Sequence, residues 1–320
     1  MSITDKLNTI DTALDDIKTA ITNKGYPPSG DITTYAAAVD NLPPKPIVIN
    51  REVYNGVYGT PTTSFTFSLP SNAINLNSYA LYYAFYESSG LTSVDLSSLT
   101  TVSGGNALYN AFFNCSGLTS VDLSSLTTVS GSTALYYAFY GCTALTNADL
   151  SSLTTVSGGS ALSSIFEDCT ALTNVDLSSL TTLSGSTVLY NAFSNCSGLT
   201  NVDLSSLTTV SGGSALSAAF NGCSHLTSVD LSSLTTLSGN TALSYAFQYC
   251  SLLQSLSFPS LTSTSFGSYT NQFNYMLQGV KGCTVHFPSN LQSVIGSWSS
   301  VTSGFNGTNT TVLFDLPATT

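Results

Sequence analysis

Two residue types with chemical reach recur along this chain at a fixed interval. Carboxylates stand at Asp95, Asp122, Asp149, Asp176, Asp203 and Asp230, and thiols at Cys115, Cys142, Cys169, Cys196, Cys223 and Cys250. Carboxylates stacked in a column repel one another, so some should have raised pKa values or gather cations. Calcium accepts carboxylate oxygens, but one carboxylate per rung makes a poor tight site, and no metal is assigned. Thiols one rung apart approach disulfide distance. Single Cys residues in an apolar stripe nevertheless behave as small hydrophobes, and the Cys-x-x-Cys pairs that zinc prefers are absent. The expectation is therefore six buried, unbridged thiols.

A third column varies. The residues just before each Ala-Phe pair or its equivalent are Tyr82-Tyr83, Tyr109-Asn110, Tyr136-Tyr137, Ser163-Ser164, Tyr190-Asn191, Ser217-Ala218 and Ser244-Tyr245; those after it include Tyr86, Phe113, Tyr140, Glu167 and Tyr249. Varying side chains on a constant scaffold are where recognition is most easily placed. A Tyr-rich, charge-poor surface suits sugar stacking or protein contact, and equally suits packing between repeats. The candidate binding residues are Tyr82, Tyr83, Tyr109, Tyr136 and Tyr137. The Asp column, with Ser120, Asn147, Asn174 and Asn201 beside it, ranks second because it offers charge without an apolar anchor. Catalysis has little support. The chain has two His residues, His225 and His286, and no paired acid and base, nucleophile elbow or phosphate loop. A glycan-active enzyme would need two carboxyl groups in distinct environments, which are not evident. No catalytic residue and no cofactor is assigned.

The element that must position these columns is a 27-residue unit, first complete from Ser97 to Leu123 and repeated from Ser124, Ser151, Ser178, Ser205 and Ser232. A divergent copy spans 70–96 and a looser one 259–287. Such a period means a solenoid, in which each unit buries its apolar face against its neighbours. In Val121-Asp122-Leu123 the alternation turns Val121 and Leu123 inward and Asp122 outward, which gives one short strand per unit. Leu108, Ala111, Phe112 and Cys115, spaced three, one and three, draw one face of a short helix or helical turn. Phe85, Phe112, Phe139, Phe166, Phe193, Phe220 and Phe247 form a core spine. Gly104, recurring at 131, 158, 185, 212 and 239, marks a turn needing positive φ or close backbone approach. Strands should run parallel in a right-handed coil, centred on Ser68, the six Asp residues, Ser257 and His286.

The frame Leu118-x-x-Val121-x-Leu123-x-x-Leu126-x-x-Val129, with Ala-Phe-x-x-Cys-x-x-Leu, resembles a leucine-rich repeat of the BspA-like subclass. Strand-then-proline endings at Leu69-Pro70, Phe258-Pro259 and Phe287-Pro288 add to the likeness, which spans roughly 65–315. It implies an α/β leucine-rich repeat solenoid with parallel strands, of the kind found in bacterial surface proteins and some phage proteins.

Ahead of the repeats, Ile3, Leu7, Ile10, Leu14, Ile17 and Ile21 step by four and three. That is a heptad seam with Leu at a and Ile at d, which favours more than two strands, so residues 1–23 are expected to self-associate as a trimer or larger. A docking helix on the same chain is the other reading. A second short helix capped by Asp31 follows, and residues 1–42 resemble an N-terminal module of phage tail and virion proteins. Pro43-Pro44-Lys45-Pro46 is a stiff linker. Residues 47–69 form a β cap with an Asn55-Gly56 hairpin, 70–287 the solenoid and 288–320 the closing cap. There Ser289 should start a short helix, and 311–314 the last strand.

Charge excludes some partners. Net charge is −11, and the six Lys and Arg sit at 6, 18, 24, 45, 51 and 281. With no cation from 52 to 280, nucleic-acid binding and docking on anionic membranes are not expected. No apolar run is long enough to insert in a membrane. The start, MSITDKLNTIDTALDD, is acidic and amphipathic, unlike a secretion signal. These features lead to the expectation of a non-enzymatic virion protein, tail or fibre-like, displaying a leucine-rich arm to other virion proteins and to a host-surface glycan or protein. The alternative is a bacterial cell-surface adhesin.

Overall fold

The computed structural model describes residues 65–318, apart from 70–73, 77, 263 and 267–269. The helices expected within residues 1–42, the linker 43–46 and the Asn55-Gly56 hairpin lie outside the described residues.

The alternation around each Asp does produce parallel strands. One sheet stacks Phe65–Ser68, Leu91–Asp95, Ser120–Asp122, Asn147–Asp149, Asn174–Asp176, Asn201–Asp203 and Ser228–Asp230 in chain order. After one irregularity between Phe65 and Thr66, register holds from unit to unit: Ser68 pairs with Asp95, Asp95 with Asp122, Asp122 with Asp149, Asp149 with Asp176, Asp176 with Asp203 and Asp203 with Asp230. A separate closing sheet stacks Ser255–Ser257, Thr284–Pro288 and Thr311–Leu316, again parallel. The strands end on the Asp residues and are not centred on them. The reason is local. Asp122 Oδ1 accepts the Ser124 N–H at 2.9 Å and the Ser124 hydroxyl at 2.6 Å, an Asx turn that bends the chain out of the sheet. The same backbone bond recurs at Asp95, Asp149, Asp176, Asp203 and Asp230.

Each unit also carries a second, two-residue strand that the sequence did not reveal. Thr101–Val102, Thr128–Val129, Thr155–Val156, Thr182–Leu183, Thr209–Val210 and Thr236–Leu237 form a six-stranded parallel sheet.

The third side corrects the expected helical turn. Alternate N–H groups leave the unit altogether: Leu108, Asn110, Phe112 and Asn114 donate to the carbonyls of Ala134, Tyr136, Ala138 and Tyr140 in the next unit at 2.7–3.0 Å. The residues between them, Tyr109, Ala111, Phe113 and Cys115, donate three residues back. Half the backbone donors are thus spent between units, so the i to i−4 ladder of an α-helix cannot form. The chain turns by taking positive φ at every fourth residue, Asn110 and Asn114 in this unit. Among the described residues, α-helix is confined to the closing cap, in Gln292–Ile295 and Ser299–Thr302. The architecture is a parallel β-solenoid of leucine-rich type, and the α component expected from the sequence is absent from the described units. Ser289 opens a 3-10 turn without a side-chain cap bond, since Pro288 takes the capping position.

The recurring glycines serve close approach. A Cβ on Gly131, Gly158, Gly185, Gly212 or Gly239 would strike the carbonyl oxygen of the corresponding glycine one unit earlier. None of the five has positive φ. Inside the coil, the Phe spine is fully formed. Rings from Phe85 to Phe247 stack at centroid separations of 5.0–5.8 Å with planes 4–17° apart. The first ring is covered by Phe67 at 4.7 Å. The far end closes on Phe266, Phe273, Phe287, Trp298 and Phe305, with Phe273 in T-shaped contact with Phe266, Phe287 and Phe305. No helix among the described residues is long and apolar enough to cross a membrane.

Candidate recognition surface

The alternating turns that replace a helix set the geometry of the Tyr column. Of each pair before Ala-Phe, the first residue sits within a turn, and the second takes positive φ and donates its N–H to the next unit. Tyr82, Tyr109 and Tyr136 are therefore in register. Their rings stack at 5.4 and 5.3 Å with planes 26° and 15° apart. The residues after Phe form a parallel stack: Tyr86 on Phe113 at 4.9 Å and Phe113 on Tyr140 at 4.6 Å, with planes 5° and 8° apart. Tyr83 bridges the stacks at the first rung, 4.6 Å from Tyr82 and 5.3 Å from Tyr86. Tyr137 does so at the third, 4.3 Å from Tyr136 and 5.4 Å from Tyr140, both T-shaped. Tyr79, which the sequence reading overlooked, adds an exposed ring against Tyr82 at 5.3 Å. Its place three residues before Tyr82 matches that of Asn106 before Tyr109, and this offset was the available signal.

All five predicted Tyr residues thus join one aromatic terrace, on the turn side of the first units. Their side chains are half-buried. They are neither sealed between units nor fully exposed: the stacked rings press face to face on their neighbours. Burial raises the pKa of Tyr109, with neighbouring phenols adding to it. Burial also raises that of Tyr136, aided by a hydrogen bond to Tyr137. Tyr140 is raised chiefly by its hydrogen bond to the Asp168 carboxylate. The phenols of Tyr109, Tyr136 and Tyr140 therefore stay protonated at neutral pH.

The terrace stops where Ser163, Ser164 and Glu167 take the aromatic positions. Glu167 is held by side-chain hydrogen bonds from Ser164 and Asn191, yet burial raises its pKa. Asp168 accepts from Asn195 Nδ2 at 2.9 Å. Beyond this acidic step Tyr190 stands alone and exposed. Tyr245 and Tyr275 then stack at 5.1 Å near the closing cap.

The Asp column lies on a different side and is already occupied with structure. Asp95, Asp122 and Asp230 are exposed, and Asp149, Asp176 and Asp203 half-buried. The expectation of raised pKa values fails at two of them. Asp95 is lowered by the Ser97 hydroxyl and N–H, with a lesser contribution from Ser68, and Asp203 is lowered by the same pair from Ser205. Donors at hydrogen-bond distance outweigh carboxylates across a solvated strand spacing. No group of three or more His, Cys, Asp or Glu able to hold a metal occurs among the described residues. His286, in the Asp rung of the closing sheet, meets Asp315 at 2.9 Å. His225 is exposed, with Nδ1 2.6 Å from the Ser197 carbonyl.

The thiols are buried and unbridged, and Cys283 adds a seventh. Each repeat Sγ donates to a Phe carbonyl 30 residues earlier, at 3.0–3.2 Å, as Cys115 does to Phe85. Burial pushes the Cys115, Cys223 and Cys283 thiols up to about 12. The thiolate is the reactive form, so at pH 8 such a thiol is ionised roughly once in ten thousand. A thiol-specific reagent is expected to leave all seven untouched in the folded protein and to count all seven after denaturation without reductant. Rapid reaction of the native protein would contradict this packing.

Comparison with known proteins agrees with this geometry. Residues 58–164, 82–211 and 163–298 match the BspA type Leucine rich repeat region (6 copies), together spanning 58–298. The chain belongs to the BspA-type leucine-rich repeat family. Solved structures similar to this leucine-rich repeat protein include three from bacteria. The T. pallidum leucine-rich repeat protein is 24% identical over 52% of this chain and 69% of its own, with a TM-score of 0.36. A leucine-rich repeat protein from Bacteroides ovatus is 19% identical over 78% of this chain and 69% of its own, with a TM-score of 0.38. One from Eubacterium ventriosum is 23% identical over 66% and 45%, with a TM-score of 0.34. No curated protein matches the chain at a significant level.

Proposed function

We propose that this BspA-type protein is a non-enzymatic adhesion protein whose solenoid presents the Tyr terrace to a macromolecule on a host surface. One observation carries the reading. Tyr83 and Tyr137 hold φ of 55° and 54°, in a column where Asn110 and Asn191 hold 53°, Ser164 53° and Ala218 52°. Asn tolerates this region; for a Tyr it costs about 1–2 kcal/mol. Aromatic rings kept where the backbone disfavours them are better explained by a surface task than by packing. Tyr82, Tyr109 and Tyr136 are the in-register contacts of that surface, and the Asp face is a secondary one.

Replacing Tyr109 and Tyr136 together by Ser reproduces what later units carry at Ser163 and Ser217, so the coil should keep its melting behaviour. Adhesion to host cells is expected to fall at least about tenfold, the scale of losing two contact aromatics. Adhesion equal to the parent's would make the terrace purely structural.

In this proposal residues 1–42 attach the arm to its carrier and residues 1–23 trimerise it or build a larger assembly. The carrier is a phage virion, on the resemblance of that module, with other virion proteins as partners. A bacterial cell surface is the second reading, and the family match favours it. Antibody labelling of purified phage particles against cells free of prophage separates the two. For self-association, Leu7→Asp with Leu14→Asp in the full chain is expected to lower the solution mass about threefold or more. A parent already monomeric in light scattering would leave the heptad seam as a docking helix.

A further inference from the structure

We infer that the partner of the terrace is a protein surface with an apolar centre and a rim of Lys and Arg, not a glycan. This rests on the recognition role proposed above and narrows it. The first argument is that the ring faces are already in use. A pyranose binds an aromatic residue by laying its C–H face on an open ring face. In the stacks Tyr82–Tyr109–Tyr136 and Tyr86–Phe113–Tyr140 the ring faces lie against one another at 4.6–5.4 Å. The middle rings, Tyr109 and Phe113, are thus covered on both faces. Stacked so, the rings are rigid, amphipathic contact area of the kind protein interfaces use at their centres.

The second argument is sign. From 52 to 280 the chain carries ten carboxylates and no Lys or Arg. Three of the carboxylates border the terrace: Glu87 follows Tyr86, and Glu167 and Asp168 follow the last rung. Glu167 is close enough to Tyr136 and Tyr140 to act on both phenols. An acidic ligand meets like charge here, whereas cations at a partner's rim meet carboxylates that are hydrogen-bonded but have no ion-pair partner among the described residues. The cations belong at the rim, because the ring faces that would hold them are covered and ring edges are electropositive.

The test presents the full-length protein with three sets of short peptides. They share one aromatic–aliphatic centre and are flanked by Lys and Arg, by Gln or by Glu. Neutral and sialylated oligosaccharides are presented alongside. The Lys/Arg set is expected to bind about tenfold more tightly than the Gln set at low salt, with the advantage shrinking toward parity in high salt. Glu167→Gln with Asp168→Asn should lower affinity for the Lys/Arg set about fivefold and leave the Gln set unchanged. If that pair unfolds, Glu167→Gln alone should show the same direction. Equal binding of the three sets, preference for the Glu set, or binding of oligosaccharides alone overturns the inference. The Tyr109 and Tyr136 double variant separates the two claims. If it loses host-cell adhesion while the peptide sets are bound alike, recognition stands and the basic partner falls. If it adheres like the parent, both fall.

Discussion

Phe166→Ala is expected to destabilise the solenoid by about 3–5 kcal/mol and to split its unfolding into two steps. Phe166 is fully buried between Phe139 at 5.5 Å and Phe193 at 5.8 Å, near-parallel to both. The variant loses the transfer energy of a large ring and two aromatic contacts, each about 0.5–1.5 kcal/mol. It also leaves a cavity that cannot collapse. The units on either side are held apart by two sheets and by the turn ladder, in which Phe166 itself donates to the Ala192 carbonyl at 2.9 Å. Stability in such an array is a sum of units and nearest-neighbour interfaces, so a weak middle rung uncouples the halves. Urea denaturation followed by tyrosine fluorescence should show the loss, and hydrogen exchange should show protection surviving on both sides of the lesion. Phe247→Ala is the comparison. Phe247 stacks on one spine ring, Phe220, and the loss should be smaller. A Phe166→Ala midpoint matching the parent's would mean that the spine is not what holds the units together.

The spine was legible because a period of 27 and strict apolar spacing are properties of side chains. The same holds for the Asp register and the buried Cys residues. The turn side was misread because its signature was ambiguous. Leu108, Ala111, Phe112 and Cys115, spaced three, one and three, fit a helix face and fit a chain of three-residue turns equally well. What distinguishes them is a different column: Asn114, Gly141, Asp168, Asn195 and Gly222, all with positive φ. Asn, Asp or Gly at one position of five successive units announces left-handed backbone, which no helix interior contains, and Glu87 and Tyr249 adopt it at the two ends of the column. The second sheet escaped notice because two residues are too few to show alternation. For the terrace, periodicity could place Tyr82, Tyr109 and Tyr136 in one column. It could not say that their faces would be covered, since ring orientation depends on the turn backbone beneath them. The Asp column misled in a related way. Repulsion is readable from a row of like charges, but the Ser97 and Ser205 donors that reverse the shift become visible only when the chain bends back on the carboxylate.

The sharpest remaining contrast lies between two adjacent glycines. Gly158→Ala is expected to cost about 3 kcal/mol, the upper end for overpacking, and Gly159→Ala close to nothing. Neither residue has positive φ, so the difference is one of space. A Cβ on Gly158 would drive into the carbonyl group of Gly131 and reach within 3.0 Å of Ala161 Cβ. The obstacle is backbone, and the backbone cannot yield, because each of these glycines rests on the one before it from Gly131 to Gly239. Relief requires opening the column where the turn ladder begins, which strains Leu162 N–H to Val188 carbonyl on one side and Leu135 N–H to Ala161 carbonyl on the other. A Cβ on Gly159 meets only the Ser132 carbonyl oxygen, at 3.7 Å, an ordinary contact. The chain makes the same distinction itself, since the position of Gly159 is filled by Ser132, Ser186 and Asn240 in alternate units, whereas the position of Gly158 is glycine in every complete unit. Thermal melts of the two single variants beside the parent decide it. Gly158→Ala should melt lower by about 6 °C or more and Gly159→Ala within about a degree of the parent. Equal melting of both would mean that neighbouring units can separate at this column without loss, and that the approach of one glycine to the next is incidental to the coil.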